Sequence, residues 1–182
     1  MLKTFGIYYR LTKPGIIRGN LMTALAAYLY GAHGVYSLSV FLALAVGTSF
    51  IIGSACVFNN IIDRDIDGKM SRTKQRELVV RALSVKSAAI YATVLLLAGC
   101  VVLLKGTNLL TLLFGVIGHV SYVLFYTFAK RKTSLSTLIG TVPGATPPVA
   151  GYLAATHRLD IVAVFLFLVL VTWQMPHFLA VA

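Results

Sequence analysis

Residues 38–76 read LSVFLALAVGTSFIIGSACVFNNIIDRDIDGKMSRTKQR. The first twenty-five of these carry no charge. That is enough for one helical crossing of a bilayer, which takes about 20 mostly apolar residues. Three carboxylates then fall within five residues, Asp63, Asp65 and Asp67, and Lys69, Arg72, Lys74 and Arg76 follow directly. An apolar run that ends so abruptly in charge is a helix leaving hydrocarbon for water. It sets the fold class for the rest of the chain.

Outward from this stretch, six segments have the length and composition to span: 17–36, 39–62, 85–104, 108–129, 134–155 and 160–182. The expectation is an all-α, polytopic transmembrane helix bundle with six spans, because lipid offers backbone N–H and C=O groups no partner outside the helix. The alternating ten-residue strands of a membrane β-barrel are not visible. Composition agrees: 58% of the 182 residues are hydrophobic and 12% charged, against roughly 45–50% and 25% in a soluble domain. A disordered chain and a soluble globule are excluded. So is a disulfide scaffold, since Cys56 and Cys100 are the only cysteines and both lie in apolar stretches.

The net charge of +11 does not indicate nucleic acid. The basic residues form short clusters between apolar runs rather than one water-facing patch. Fourteen of the sixteen fall on one side of the expected membrane, leaving Lys105 and Arg158 on the other. The positive-inside rule therefore places the N-terminus and the 63–84 loop in the cytoplasm. With neither a cleavable signal nor a transit segment in evidence, the expected location is a bacterial inner membrane. Lys130-Arg131-Lys132 reads as a topology anchor.

Asn59, Asp63 and Asp67 recur every four residues, so a helix carries them on one face, with Asp65 turned away. Ionised groups at membrane depth are costly and tend to be functional. An amide and two carboxylates form a hard-oxygen set suited to Mg²⁺, without the Cys or His of a zinc site. The basic residues that follow suit an anion carried by that metal. The pattern points to a magnesium–diphosphate site beside an apolar cavity, and hence to a prenyl diphosphate.

The stretch Asn59-Asn60-Ile61-Ile62-Asp63-Arg64-Asp65-Ile66-Asp67, with Met70, Arg72-Thr73 and Arg76, resembles the first aspartate-rich motif of the intramembrane (UbiA-type) prenyltransferases. Thr12-Lys13-Pro14-Gly15, the run GTVPGATPP at 140–148 and WQMPHF at 173–178 resemble one branch of it, the protohaem IX farnesyltransferases. This resemblance implies Mg²⁺-dependent transfer of a farnesyl group from farnesyl diphosphate to a vinyl group of haem B, giving haem O. It assigns Asn59, Asp63 and Asp67 to the metal. Asp63, Asp67, Arg72 and Arg76 become catalytic, and Asn59, Lys13, Lys74 and His177 substrate-binding. Haem B is a substrate, membrane lipid the surroundings, and a haem A synthase or terminal-oxidase assembly the implied partner. Glu77 stands where many members of the family have proline. The family's second aspartate-rich motif is absent, so the expectation is a single prenyltransferase domain, 1–182, forming the N-terminal part of a larger bundle.

Alternatives remain at this point: an aromatic quinone precursor as acceptor, a transporter, or a structural subunit of an oxidase. His119 lies inside the fourth span, and His33 and His157 near outer ends. Pro143, Pro147 and Pro148 are expected to break the fifth helix, which either kinks it for close packing or shapes a cavity. Asn20 is placed to face the cavity or another helix.

Overall fold

A computed structural model of the chain describes residues 2–133 and 135–181, with side chains described for 5–133 and 135–176. Every regular element among the described residues is helical. A short helix, α1 (Leu2–Leu11), precedes α2 (Pro14–Gly31) and α3 (Leu38–Ile62). One further turn, α4 (Arg64–Asp67), leads into a segment of turns and then α5 (Val85–Gly106). The next helix begins as α6 (Leu109–Val120), widens into a π-helical stretch at Ser121–Tyr126, and closes as α7 (Thr127–Ala129). α8 (Ser136–Thr156) and α9 (Ile161–Val181) follow. Among the described residues, three helices are long and apolar enough to cross a membrane: Leu38–Ile62, Val85–Gly106 and Leu109–Ala129.

Helix starts follow local chemistry. Pro14 opens α2, where its missing N–H costs nothing. Ser84 accepts from Ser87 N at 3.0 Å to start α5, and Asn108 from Thr111 N at 2.9 Å to start α6. Asp160 Oδ1 accepts from Val162 N and Ala163 N at the head of α9.

α3 packs along α5 and α2 along α8. Small residues set these approaches, as in membrane bundles generally. A Cβ at Gly99 would lie 2.8 Å from Ile51 Cγ1, and one at Gly151 would run into the backbone carbonyl of Ala24. α5 shows the plan clearly. Ala88, Ala92, Gly99 and Leu103 are buried, while Ile90, Val94, Leu97, Val101 and Leu104 form an exposed stripe at helical spacing.

The expected break in the fifth helix does not occur: α8 runs unbroken through Pro143, Pro147 and Pro148. Pro147 cannot donate to the carbonyl of Pro143. Thr146 Oγ1 does so instead, at 3.1 Å. The ten residues from Ala145 to Ala154 are all buried, so packing neighbours support the helix through its weak point.

Candidate active site

The last turns of α3 create the site. α3 ends at Ile62, but Asp67 N donates to Asp63 O at 2.8 Å, so α4 keeps the helical register. Asn59, Asp63 and Asp67 thereby stay in line, and all three are buried. Asn59 Nδ2 donates to Asp63 Oδ2 at 2.7 Å and to Thr127 Oγ1 at 3.0 Å. Asp65 turns outward, 65% exposed, and accepts from the Arg131 guanidinium at 2.9 and 3.2 Å. That hydrogen bond lowers its carboxyl below the usual range.

Cations from three separate segments close around the line. Lys13 Nζ donates to Asn59 Oδ1 at 2.6 Å. Arg76 Nη1 reaches Asp67 Oδ2 at 2.6 Å. Lys130 pairs with Asp63 Oδ2, and the Arg131 guanidinium lies 3.5 Å from Asp63 Oδ1. Burial pulls the Lys13 ammonium down to about 8.

Of the residues read from sequence, Asn59, Asp63, Asp67, Lys13 and Arg76 come together here. Arg72 and Lys74 are exposed on the 68–84 loop and make no ion pair among the described residues. His177 lies outside the described side chains. The sequence reading missed Lys130 and Arg131 as site residues. They are more than a topology anchor, since both reach Asp63 across 67 and 68 positions. Their expected place on the same side of the membrane as the aspartates was the available signal.

A cavity of about 690 Å³ opens beside this cluster. Cys56, one turn before Asn59, lines its head together with Gly15, Tyr122 and Tyr126. The two tyrosine rings stack 5.4 Å apart on the π-helical stretch. Gly140 leaves room for Tyr126, because a Cβ there would lie 2.9 Å from the ring. The other walls are α2, α3, α6, α8 and α9, with Asn20, Thr23, Thr48, His119, Thr146 and Gln174 among the polar members. Asn20 lines the cavity but spends its amide on Ile16 O at 2.9 Å. His119 Nε2 lies 3.1 Å from Ser54 Oγ, and Gln174 Nε2 donates to Leu170 O.

The donor set fits a magnesium ion that a substrate helps to coordinate. Mg²⁺ is usually held by one or two carboxylates together with phosphate oxygens and water. Here two buried carboxylates and an amide oxygen align, and buried Asp63 Oδ1 accepts no hydrogen bond. No cluster of three or more His, Cys, Asp or Glu exists among the described residues, so an all-protein cage is not what this site offers.

A family model described as the UbiA prenyltransferase family matches residues 20–182. The chain belongs to the UbiA prenyltransferase family. Within this family it is 48% identical over 176 residues to a protein named protoheme IX farnesyltransferase 2 from Pseudomonas fluorescens, covering 96% of this chain and 60% of that one. A structure described as digeranylgeranylglyceryl phosphate synthase superimposes with a TM-score of 0.84 at 19% identity, over 95% of this chain and 60% of the other. A UbiA homologue from Archaeoglobus fulgidus, bound to DMAPP and Mg²⁺, gives 0.79 at 17% identity, over 93% and 62%. At those identities the two structures establish a shared fold. The chain spans 60–64% of the length of the curated relatives it matches.

Proposed function

We propose that this chain carries the prenyl-diphosphate site of a Mg²⁺-dependent enzyme that moves a farnesyl group from farnesyl diphosphate to a vinyl group of haem B, giving haem O. The observation that carries the reading is the buried line Asn59–Asp63–Asp67, ringed by Lys13, Arg76 and Lys130, with nearby Gly15 and Cys56 lining a largely apolar cavity. The protein named protoheme IX farnesyltransferase 2 supports the acceptor. The homologue bound to DMAPP and Mg²⁺ supports the metal and the donor class.

Asn59, Asp63 and Asp67 would hold Mg²⁺, which when bound supplies positive charge against the departing diphosphate. Lys13, Arg76 and Lys130, with Arg72 and Lys74 from the exposed loop, add to that field as the allylic C–O bond breaks. The apolar walls keep water from the resulting allylic cation. The haem vinyl group donates its electron pair to the allylic carbon, and a water oxygen adds to the carbocation left on the former vinyl group and releases one proton, giving the hydroxyethyl-farnesyl side chain. In this reading α2, α3, α5, the α6–α7 helix, α8 and α9 make six spans of one domain in a bacterial inner membrane. The N-terminus and the 63–84 loop face the cytoplasm, as the basic residues require.

The test is haem O formation from haem B, farnesyl diphosphate and Mg²⁺, read by mass spectrometry in membranes lacking endogenous activity. It is run on this chain and on a form extended to the relatives' full length. Haem O that depends on added Mg²⁺ supports the reading. Prenylation of an aromatic acid instead overturns the acceptor. No consumption of farnesyl diphosphate by folded, extended protein overturns the whole proposal.

A further inference from the structure

Five acids stand in this chain against sixteen cations. Three belong to the aspartate cluster. Asp160, at the opposite end, accepts the Tyr152 hydroxyl at 2.8 Å and caps α9. The fifth, Glu77, has no part in the chemistry above. Its mostly buried carboxylate accepts from Arg10 Nε at 2.5 Å, and Arg10 lies 67 positions earlier, in the last turn of α1.

Both neighbours of Glu77 are committed. Arg76 is bound to Asp67 at 2.6 Å. Leu78 is buried in a core cluster with Val57 of α3, Ala88 and Ala92 of α5, and Leu11 of α1. Leu11 in turn adjoins Arg10. Two consecutive pairs therefore meet, Arg10-Leu11 and Glu77-Leu78, with an ion pair toward the surface and leucines in the core beneath. The 68–84 segment that carries Arg76 is built of turns. Thr73 Oγ1 ties it to Asp67 O at 2.9 Å, but it has no long helix to fix its position. What holds it from outside decides where the Arg76 guanidinium sits.

We propose that the Arg10–Glu77 pair is a latch. Through it α1 holds the 68–84 loop so that Arg76 meets the diphosphate, which makes Glu77 a positioning residue and not a catalytic one. This role rests on the prenyl-diphosphate reading. The latch itself does not.

The experiment uses the extended protein in phospholipid vesicles with three variants, Arg10→Gln, Glu77→Gln and the charge swap Arg10→Glu with Glu77→Arg. Two quantities are measured. The first is KM and kcat for farnesyl diphosphate at saturating haem B. The second, which needs no turnover, is the rate of tryptic cleavage after Arg72 and Lys74. Each single variant should raise KM about three- to fivefold, the scale of an exposed pair. It should leave kcat within about twofold and speed cleavage, and the swap should bring KM and cleavage back toward the parent values. Unchanged KM in both single variants, or a swap that restores neither quantity, overturns the positioning role. Unchanged cleavage overturns the latch. If the parent protein transfers no prenyl group, the functional reading fails separately, and cleavage still decides the latch.

Discussion

The aspartate-bearing rim and the cavity wall use polar groups in opposite ways. At the rim every acid is paired with a cation, three of them from a distant part of the chain: Asp63 with Lys130, Asp65 with Arg131 and Glu77 with Arg10, while Asp67 pairs with Arg76 nine residues on. In the wall the polar groups carry no full charge, and most are satisfied close to home. Thr23 donates to Asn20 O, Thr146 to Pro143 O and Gln174 to Leu170 O. The difference follows from the dielectric. A pair near water can form and reform as ligands come and go, whereas a charge in the wall would stay expensive throughout. Under the function proposed above, the rim would handle a diphosphate and the wall would shelter a hydrocarbon chain.

The largest effect should come from neutralising the rim. Asp63→Asn and Asp67→Asn keep the side-chain shape and remove the charge. Under the function proposed above, each should lower the rate of haem O formation by about a hundredfold or more, the scale of losing one preorganised electrostatic partner, while size-exclusion behaviour and helical content stay those of the parent. Near-parental turnover in either variant would mean that the rim's pairs are structural alone.

How much of this was visible beforehand differs between the two regions. The rim's aspartates announced themselves by their spacing, because a four-residue repeat of polar groups after an apolar run has few other readings. Their partners did not. Lys130 meets Asp63 only because two helices end side by side, and nothing local in either stretch records that. α3, α5 and α6 were plain in the hydropathy, being apolar runs of spanning length. α8 read as interrupted, because three prolines argue locally against a helix. Its continuity depends on a threonine hydroxyl and on burial, neither of which a propensity scale contains.

The interior of the helix bundle offers the next two tests. Leu103→Ala empties a fully buried position of α5, against which Gly47 packs closely. It should cost about 2–3 kcal/mol in thermal unfolding in detergent, near the low end for a buried leucine. Thr146→Val preserves volume but removes the donor to the Pro143 carbonyl. That should cost about 1–2 kcal/mol, the expense of a buried acceptor left unpaired. If Thr146→Val proved neutral, α8 would owe its continuity through the prolines to packing alone.

The smallest effect is expected on the lipid face. Leu97 lies on α5 only six residues from Leu103, yet it is 61% exposed. Lipid tails are as apolar as leucine, so there is no hydrophobic gain in moving that side chain from lipid to protein or back. Leu97→Ala should therefore change stability by no more than about 0.5 kcal/mol, like a substitution on an ordinary protein surface. The two leucines are chemically identical and share one helix, so their difference isolates packing from hydrophobicity. A cost at Leu97 equal to that at Leu103 would mean that the exposed stripe of α5 is covered by protein and not by lipid. The boundary between the bundle interior and its surroundings would then lie further outward.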